Sequence, residues 1–190
     1  MSQLTDVSVV TCSVVAYPAT DAQNLLLKFA SFSGLTYSSQ VGELATAFNG
    51  QKCVFLEENV RLESRENDHR VDVFMVCVSV VTSDLKSLQD TLQKTIDGKI
   101  HGAPFIICGT HIEERLGEQK TLSLSDAELF ASQIGALRYV ECSAKTGEGV
   151  DDAFEDCFQV GKLHALRTLR RQRTKQRLET DVAKTSCITQ

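Results

Sequence analysis

Side chains able to do chemistry are present, but their spacing points away from most of it. Seven cysteines (Cys12, Cys53, Cys77, Cys108, Cys142, Cys157 and Cys187) form no C-x-x-C pair and have no histidine at zinc-site spacing. Six of them sit inside apolar runs and read as buried small hydrophobes of a reducing compartment. His69, His101, His111 and His164 lie in polar or loop contexts, with no serine or cysteine and acid at triad spacing. The carboxylate pairs Asp151-Asp152 and Glu155-Asp156 read as the acidic first turns of a helix, where they face the positive end of its dipole. No catalytic residue and no metal ligand is assigned.

The seventh cysteine stands in a different setting. Cys187-Ile188-Thr189-Gln190 fits the C-a-a-X prenylation pattern, and a terminal Gln favours farnesyl. Just upstream stand Arg167, Arg170, Arg171, Arg173, Lys175 and Arg177. One prenyl chain binds membranes only marginally, whereas a chain plus a polybasic patch anchors stably. The expectation is lipidation at Cys187 and an anionic membrane as the partner of the basic residues. Taken alone, the basic segment also fits a nuclear-import or nucleic-acid patch, or a solvated helix end. It has no interleaved aromatics for base stacking and the rest of the chain is acidic, so nucleic acid is not an expected partner.

Charge is divided along the chain. There are 12 basic against 23 acidic residues through Gly161, a net −11, and 8 against 2 from Lys162 onward, a net +6. The expected organisation is one domain over residues 1–161 and a basic helix extension with a lipidation tail over 162–190. With 190 residues, 42% of them hydrophobic, the chain is long enough for one core and short for two. No basic start followed by an apolar segment marks a signal peptide, and no run approaches the roughly 18 apolar residues of a membrane span, so the chain reads as cytosolic.

The elements that must position these residues alternate. Residues 6–15 (DVSVVTCSVV), 73–81 (VFMVCVSVV) and 105–108 (FIIC) are apolar on both parities, as strands covered on both faces are. Helical stripes fill residues 22–32 (Leu25, Leu26, Phe29, Phe32), 83–96 (Leu85, Leu88, Leu92, Ile96) and the stretch from Gly149 (Val150, Phe154, Cys157, Phe158). Ser125-Asp126-Ala127-Glu128 reads as a capping box opening a helix over 125–134. Residues 48–57, with Asn49-Gly50 as the turn, read as an antiparallel hairpin at the edge. The pattern gives an α/β domain: a doubly wound, mostly parallel sheet with one antiparallel edge strand.

With the elements in this order, VDVFMVCVSV and IGALRYVECSAKTGEG resemble the fourth strand and guanine-binding end of Rho-family (Ras-like) small GTPases. The resemblance is carried by residues 71–158, and before residue 71 by element order. It implies the small-GTPase (P-loop NTPase-like) fold, protein effectors or regulators of Rho-type pathways as partners, and residence at the cytoplasmic face of the plasma membrane or an endomembrane. It also implies a guanine pocket made of Thr110, His111 and Glu113 (in place of [NT]-K-x-D) with Ser143, Ala144 and Lys145. Glu113 keeps a carboxylate on a longer arm, and His111 lacks the lysine stem that covers the base. The other reading of the same residues is inherited strand-turn-helix packing, with Ser143 serving turn backbone and Lys145 solvated.

The phosphate half of such a site is missing. G-x-x-x-x-G-K-[ST] offers backbone N–H groups, an ammonium and a Mg²⁺-binding hydroxyl. The equivalent positions here are Ala16-Tyr17-Pro18-Ala19-Thr20-Asp21-Ala22-Gln23, in which Pro18 has no N–H and Asp21 sets a carboxylate against phosphate. No change of register restores it: the first glycine is Gly34, and Gly98-Lys99 and Gly161-Lys162 are followed by Ile100 and Leu163. D-x-x-G with a following Gln is absent from the whole chain. The expectation is a pseudo-GTPase with no resident cofactor, acting as a membrane-tethered signalling or scaffold module. The alternative is a noncanonical switch that still binds GTP or GDP. A divergent first seventy residues is a further possibility, and packing of residues 6–70 on the sheet discriminates it.

Overall fold

The computed structural model describes the backbone of residues 7–17, 20, 22–38, 40, 42–59, 70–82, 85–100 and 102–187, with all of their side chains except those of 59, 99, 178 and 180–187. In chain order the elements are β1 (Val10–Ala16), α1 (Ala22–Ser33), β2 (Glu43–Phe48), β3 (Gln51–Asn59), β4 (Val73–Ser79), α2 (Leu85–Thr95) with a π-helical turn (Ile96–Ile100), β5 (Phe105–Thr110), a 3₁₀ turn (Ile112–Leu116), α3 (Leu124–Gln133), β6 (Tyr139–Glu141) and α4 (Val150–Cys187). One six-stranded sheet has the order β2-β3-β1-β4-β5-β6. Every pairing is parallel except β2 with β3. This is the doubly wound sheet with one antiparallel edge that the pattern predicts.

The two-faced apolar strands are buried on both sides because helices lie on both. On one face, Cys12 and Val14 of β1 and Met75 of β4 meet Leu25, Leu26 and Phe29 of α1 and Phe154 and Phe158 of α4. Phe29 stacks on Phe154 at 4.1 Å between ring centroids, with Phe55 edge-on to Phe154 at 4.7 Å. On the other face, Val15, Val76 and Ile107 meet Leu92 of α2 and Phe130 of α3. Gly161 lets α4 approach the sheet, since a Cβ there would lie 2.7 Å from Val73 Cγ1 and 2.9 Å from Val10 Cγ1. The described elements of the first third of the chain, β1, α1, β2 and β3, therefore contribute to the core, with β1 between β3 and β4. The hairpin turn has φ 49° at Asn49 and 79° at Gly50, both positive as a two-residue hairpin turn requires.

Several boundaries differ from expectation for local reasons. The first strand starts at Val10 rather than residue 6, which lies outside the described residues; the carbonyls of Val7 and Ser8 are taken by the Gln51 side chain instead of a ladder. β4 stops at Ser79: Val80 N–H still takes the Thr110 carbonyl at the end of β5, but the Val80 carbonyl accepts the Leu122 N–H from outside the strands, and β5 runs on to Thr110. The 83–96 stripe begins at Leu85, which is exposed; positions 83 and 84 lie outside the described residues. The N-cap sits two residues earlier than expected, and the reciprocal bond of a capping box is not among its contacts with the described residues. Ser123, not Ser125, is the N-cap: its hydroxyl accepts the Asp126 N–H at 3.1 Å and donates to the Asp126 carboxylate at 2.6 Å, leaving Glu128 exposed.

α4 is 38 residues long and continuous across position 161. Ala165 is buried and Leu166 and Leu169 pack against the core, after which residues 170–177 are all exposed. Among the described residues no helix is long and apolar enough to cross a membrane.

Candidate functional site

At the carboxyl end of the sheet the loops after β5 and β6 face α1 across a cleft of about 590 Å³. Thr110, the last residue of β5, is buried, with its hydroxyl 3.3 Å from the Val78 carbonyl and 3.1 Å from His111 Nδ1. His111 turns the chain in the left-handed region (φ 63°) and opens the 3₁₀ turn that carries Glu113 and Glu114. After β6, Ser143 is fully buried and its hydroxyl accepts the Thr146 N–H at 3.0 Å. The turn closes by Gly147 N–H to Ser143 O and Ser143 N–H to Glu148 O.

Thr110, His111, Glu113, Ala144 and Lys145 line the cleft together, while Ser143 stands behind the wall as the brace of its turn. Lys145 is exposed, with its ammonium 3.8 Å from the Glu114 carboxylate. Burial works against ionisation of Glu113, but the Ser143 hydroxyl, its own backbone N–H, His111 and Lys145 together hold its carboxyl below the usual range. Its Oε2 is buried without a hydrogen-bond partner among the described residues.

The opposite wall comes from α1, through Asn24, Leu27, Lys28 and Ser31, whose spacing marks one helical face. Sequence reasoning did not find this wall; its only signal was the i, i+3, i+4, i+7 recurrence on the side away from the core. Lys28 crosses the cleft, placing its ammonium 3.3 Å from the Lys145 carbonyl and over the Phe32 ring. Behind the 3₁₀ turn, Arg115 binds both carboxylate oxygens of Glu141 and the Leu122 carbonyl, and the Tyr139 hydroxyl donates to Glu141 at 2.7 Å. This network fixes the β5 loop to β6.

On the phosphate side the described loop residues are closed on themselves. Tyr17 N–H is shared between the Thr20 hydroxyl at 2.8 Å and the Cys77 carbonyl at 3.2 Å, and Thr20 N–H goes to the Tyr17 carbonyl at 2.8 Å. Pro18, Ala19 and Asp21 lie outside the described residues, as do residues 60–69, His69 among them, and His101. Farther on, Tyr37 donates to the Glu57 carboxylate and Glu57 N–H binds the Gly42 carbonyl, so the segment between α1 and β2 is tied to β3.

Six cysteines are buried and free: Cys12, Cys53, Cys77, Cys108, Cys142 and Cys157. Burial, together with neighbouring thiols, pushes Cys12 well above the ordinary thiol range. Among the described residues no group of three His, Cys, Asp or Glu is placed to hold a metal ion. Arg167, Arg170, Arg171, Arg173, Lys175 and Arg177 are exposed on α4. Cys187 is its last helical residue, and the Cys187 side chain and residues 188–190 lie outside the described residues.

A doubly wound sheet with its cleft at the carboxyl ends of the strands is the arrangement in which open α/β domains place their ligand sites. The Ras family model matches residues 58–162, more than half of the chain, and the chain belongs to that family. Among curated proteins it is similar to the GTP-binding protein RHO1 of Candida albicans, 38% identical over 97 residues covering 44% of this chain and 48% of the relative. GTP-binding protein Rho1 of Kluyveromyces lactis is 35% identical over 97 residues, covering 44% and 46%. The chain spans about half the length of the curated relatives it matches.

Proposed function

We propose that this Rho-like chain is a pseudo-GTPase: it no longer binds phosphate and Mg²⁺, and it acts as a membrane-tethered signalling or scaffold module. The observation that carries this reading is the loop after β1, where the N–H groups of Tyr17 and Thr20 are both used inside the protein. A phosphate cradle needs such groups turned outward. The sequence adds its lack of a Gly-Lys-Ser/Thr loop and of D-x-x-G. Tethering of the α1–β2 segment through Tyr37 and Glu57 also supports it, since an order-disorder switch needs a segment that only the γ-phosphate holds in place and that its loss releases. Effectors or regulators of Rho-type pathways then bind a surface that does not depend on nucleotide. In this reading the exposed arginines of α4 and a lipid on Cys187 hold the module to an anionic leaflet.

One observation favours a second reading, residual guanine-nucleotide binding: Thr110, His111, Glu113, Ala144 and Lys145 share one cleft. Nucleotide analysis of the purified protein separates the two. Denaturation and chromatography should release far less than one GDP or GTP per chain with or without Mg²⁺, and stoichiometric release would overturn the pseudo-GTPase reading.

A further inference from the structure

The exposed surface of α4 is acidic at one end and basic at the other, with Leu163 exposed between them. Asp152, Asp156, Leu163, Arg167, Arg170 and Arg177 fall within about 40° of one line down the helix at 100° per residue. Asp152 is exposed, Leu163 is 52% exposed and the three arginines are exposed. Asp156 is partly exposed and pairs with Arg138. Glu155 and Arg173, both exposed, flank the line on the same side.

Charges of opposite sign sit at matching distances from Leu163. Asp152 is 11 residues before it and Arg173 and Arg177 are 10 and 14 after it; Asp156 is 7 before and Arg170 is 7 after. Along the axis these are offsets of about 10 to 20 Å on each side.

We infer that this face is a self-complementary docking surface whose partner is a second copy of the same chain, with the two α4 helices antiparallel and crossing at Leu163. In that arrangement Leu163 packs on its own counterpart, as a two-fold interface requires. Each acidic amino-terminal half then meets the other copy's basic half. The charge order forbids the parallel alternative, which would set acid on acid and base on base. It also gives the overhang something to rest on. Residues 170–177 are exposed all round, and a helix polar on every side has little to hold it in water by itself. The second copy offers it Asp152 and Glu155. This inference goes beyond the pseudo-GTPase reading and does not rest on it. Arg170 and Arg173 also serve the membrane reading, so the test is made without lipid.

Sedimentation velocity on the full chain over 5–200 μM tests it. At low salt the parent should form a dimer with rising concentration, and its dissociation constant should weaken more than tenfold at about 0.5 M salt, where the screening length falls below 5 Å. Leu163→Glu should be monomeric. Asp152→Lys/Glu155→Lys and Arg170→Glu/Arg173→Glu should each be monomeric alone and form a 1:1 heterodimer when mixed, because only the mixture puts opposite charges together at both ends. A parent that stays monomeric at low salt overturns the inference. Reversal variants that dimerise as the parent does, or a mixture that stays monomeric, overturn it equally.

Discussion

The ring of Phe32, at the end of α1, packs so closely on Gly147 that a methyl group there would lie 2.3 Å from the ring's Cζ. Gly147 sits at φ 91°, a conformation costly for any other residue. The contact joins α1 to the turn that follows Ser143, and Lys28 reinforces it by reaching the carbonyl of Lys145 beside it. The cleft is thus framed by packing at its rim.

Gly147→Ala should therefore destabilise the protein through two separable causes. The left-handed backbone costs about 1–2 kcal/mol for an alanine, and displacing Phe32 adds to it. In a Phe32→Ala background only the backbone part should remain. Urea unfolding of the four proteins gives the coupling directly. Strict additivity would show that the ring does not constrain the turn.

The Arg115–Glu141–Tyr139 network predicts a pH dependence. Burial pushes the Glu141 carboxyl upward, but Arg115 and the Tyr139 hydroxyl outweigh it and leave it below the usual range. A lowered folded pKa means that the unfolded chain takes up the proton first as pH falls. The stabilisation is complete above the unfolded value of about 4.3 and is lost as pH drops through the folded value. Glu141→Gln should cost about 2 kcal/mol at pH 7 and progressively less below pH 4. A pH-independent loss would mean that the ion pair is not the source. Asp72 runs the opposite way, since burial raises its carboxyl, so the comparison is between Glu141→Gln and the parent.

The sheet was legible because burial on both faces is written into local composition: VFMVCVS and FIIC leave no polar parity. Asn49-Gly50 was legible because so few residue types accept two positive φ values. The helix start at Ser123 was not, since Ser123–Asp126 and Ser125–Glu128 are overlapping patterns and only the resting place of the chain chooses between them. The loop residues Thr110, Glu113 and Lys145 could be placed in one cleft through the family resemblance. The α1 wall could not, because Leu27 and Lys28 meet residues more than 80 positions away and helical periodicity says nothing about which helix faces which loop. The Arg115–Glu141 pair, 26 residues apart, was hidden for the same reason.

Hydrolysis of GTP should be absent rather than slow. The chain contains no D-x-x-G and no Gly-Lys-Ser/Thr, so neither a Mg²⁺ hydroxyl nor a γ-phosphate contact is encoded in those forms. Phosphate release from purified protein should match a buffer blank, with or without an added GTPase-activating domain. Turnover that copurifies with the protein and disappears in Glu113→Ala or Lys145→Ala would favour the residual-nucleotide reading.

Membrane attachment tests the tail. Each exposed Lys or Arg near an anionic leaflet contributes about 1 kcal/mol, so Arg170→Gln/Arg171→Gln/Arg173→Gln should weaken binding of the unlipidated protein to phosphatidylserine vesicles roughly a hundredfold. The parent's binding should fall steeply with salt, and neither protein should bind neutral phosphatidylcholine vesicles. In cells, a lipid adds roughly 0.8 kcal/mol per buried CH₂ yet anchors only reversibly without the basic patch. Cys187→Ser should move the protein from the membrane fraction to the soluble one, and the triple Gln variant should leave a lipidated protein that washes off at moderate salt. If Cys187→Ser fractionates with membranes as fully as the parent does, the lipid is not the anchor. If the triple variant binds anionic vesicles as tightly as the parent, α4 meets something other than a lipid surface.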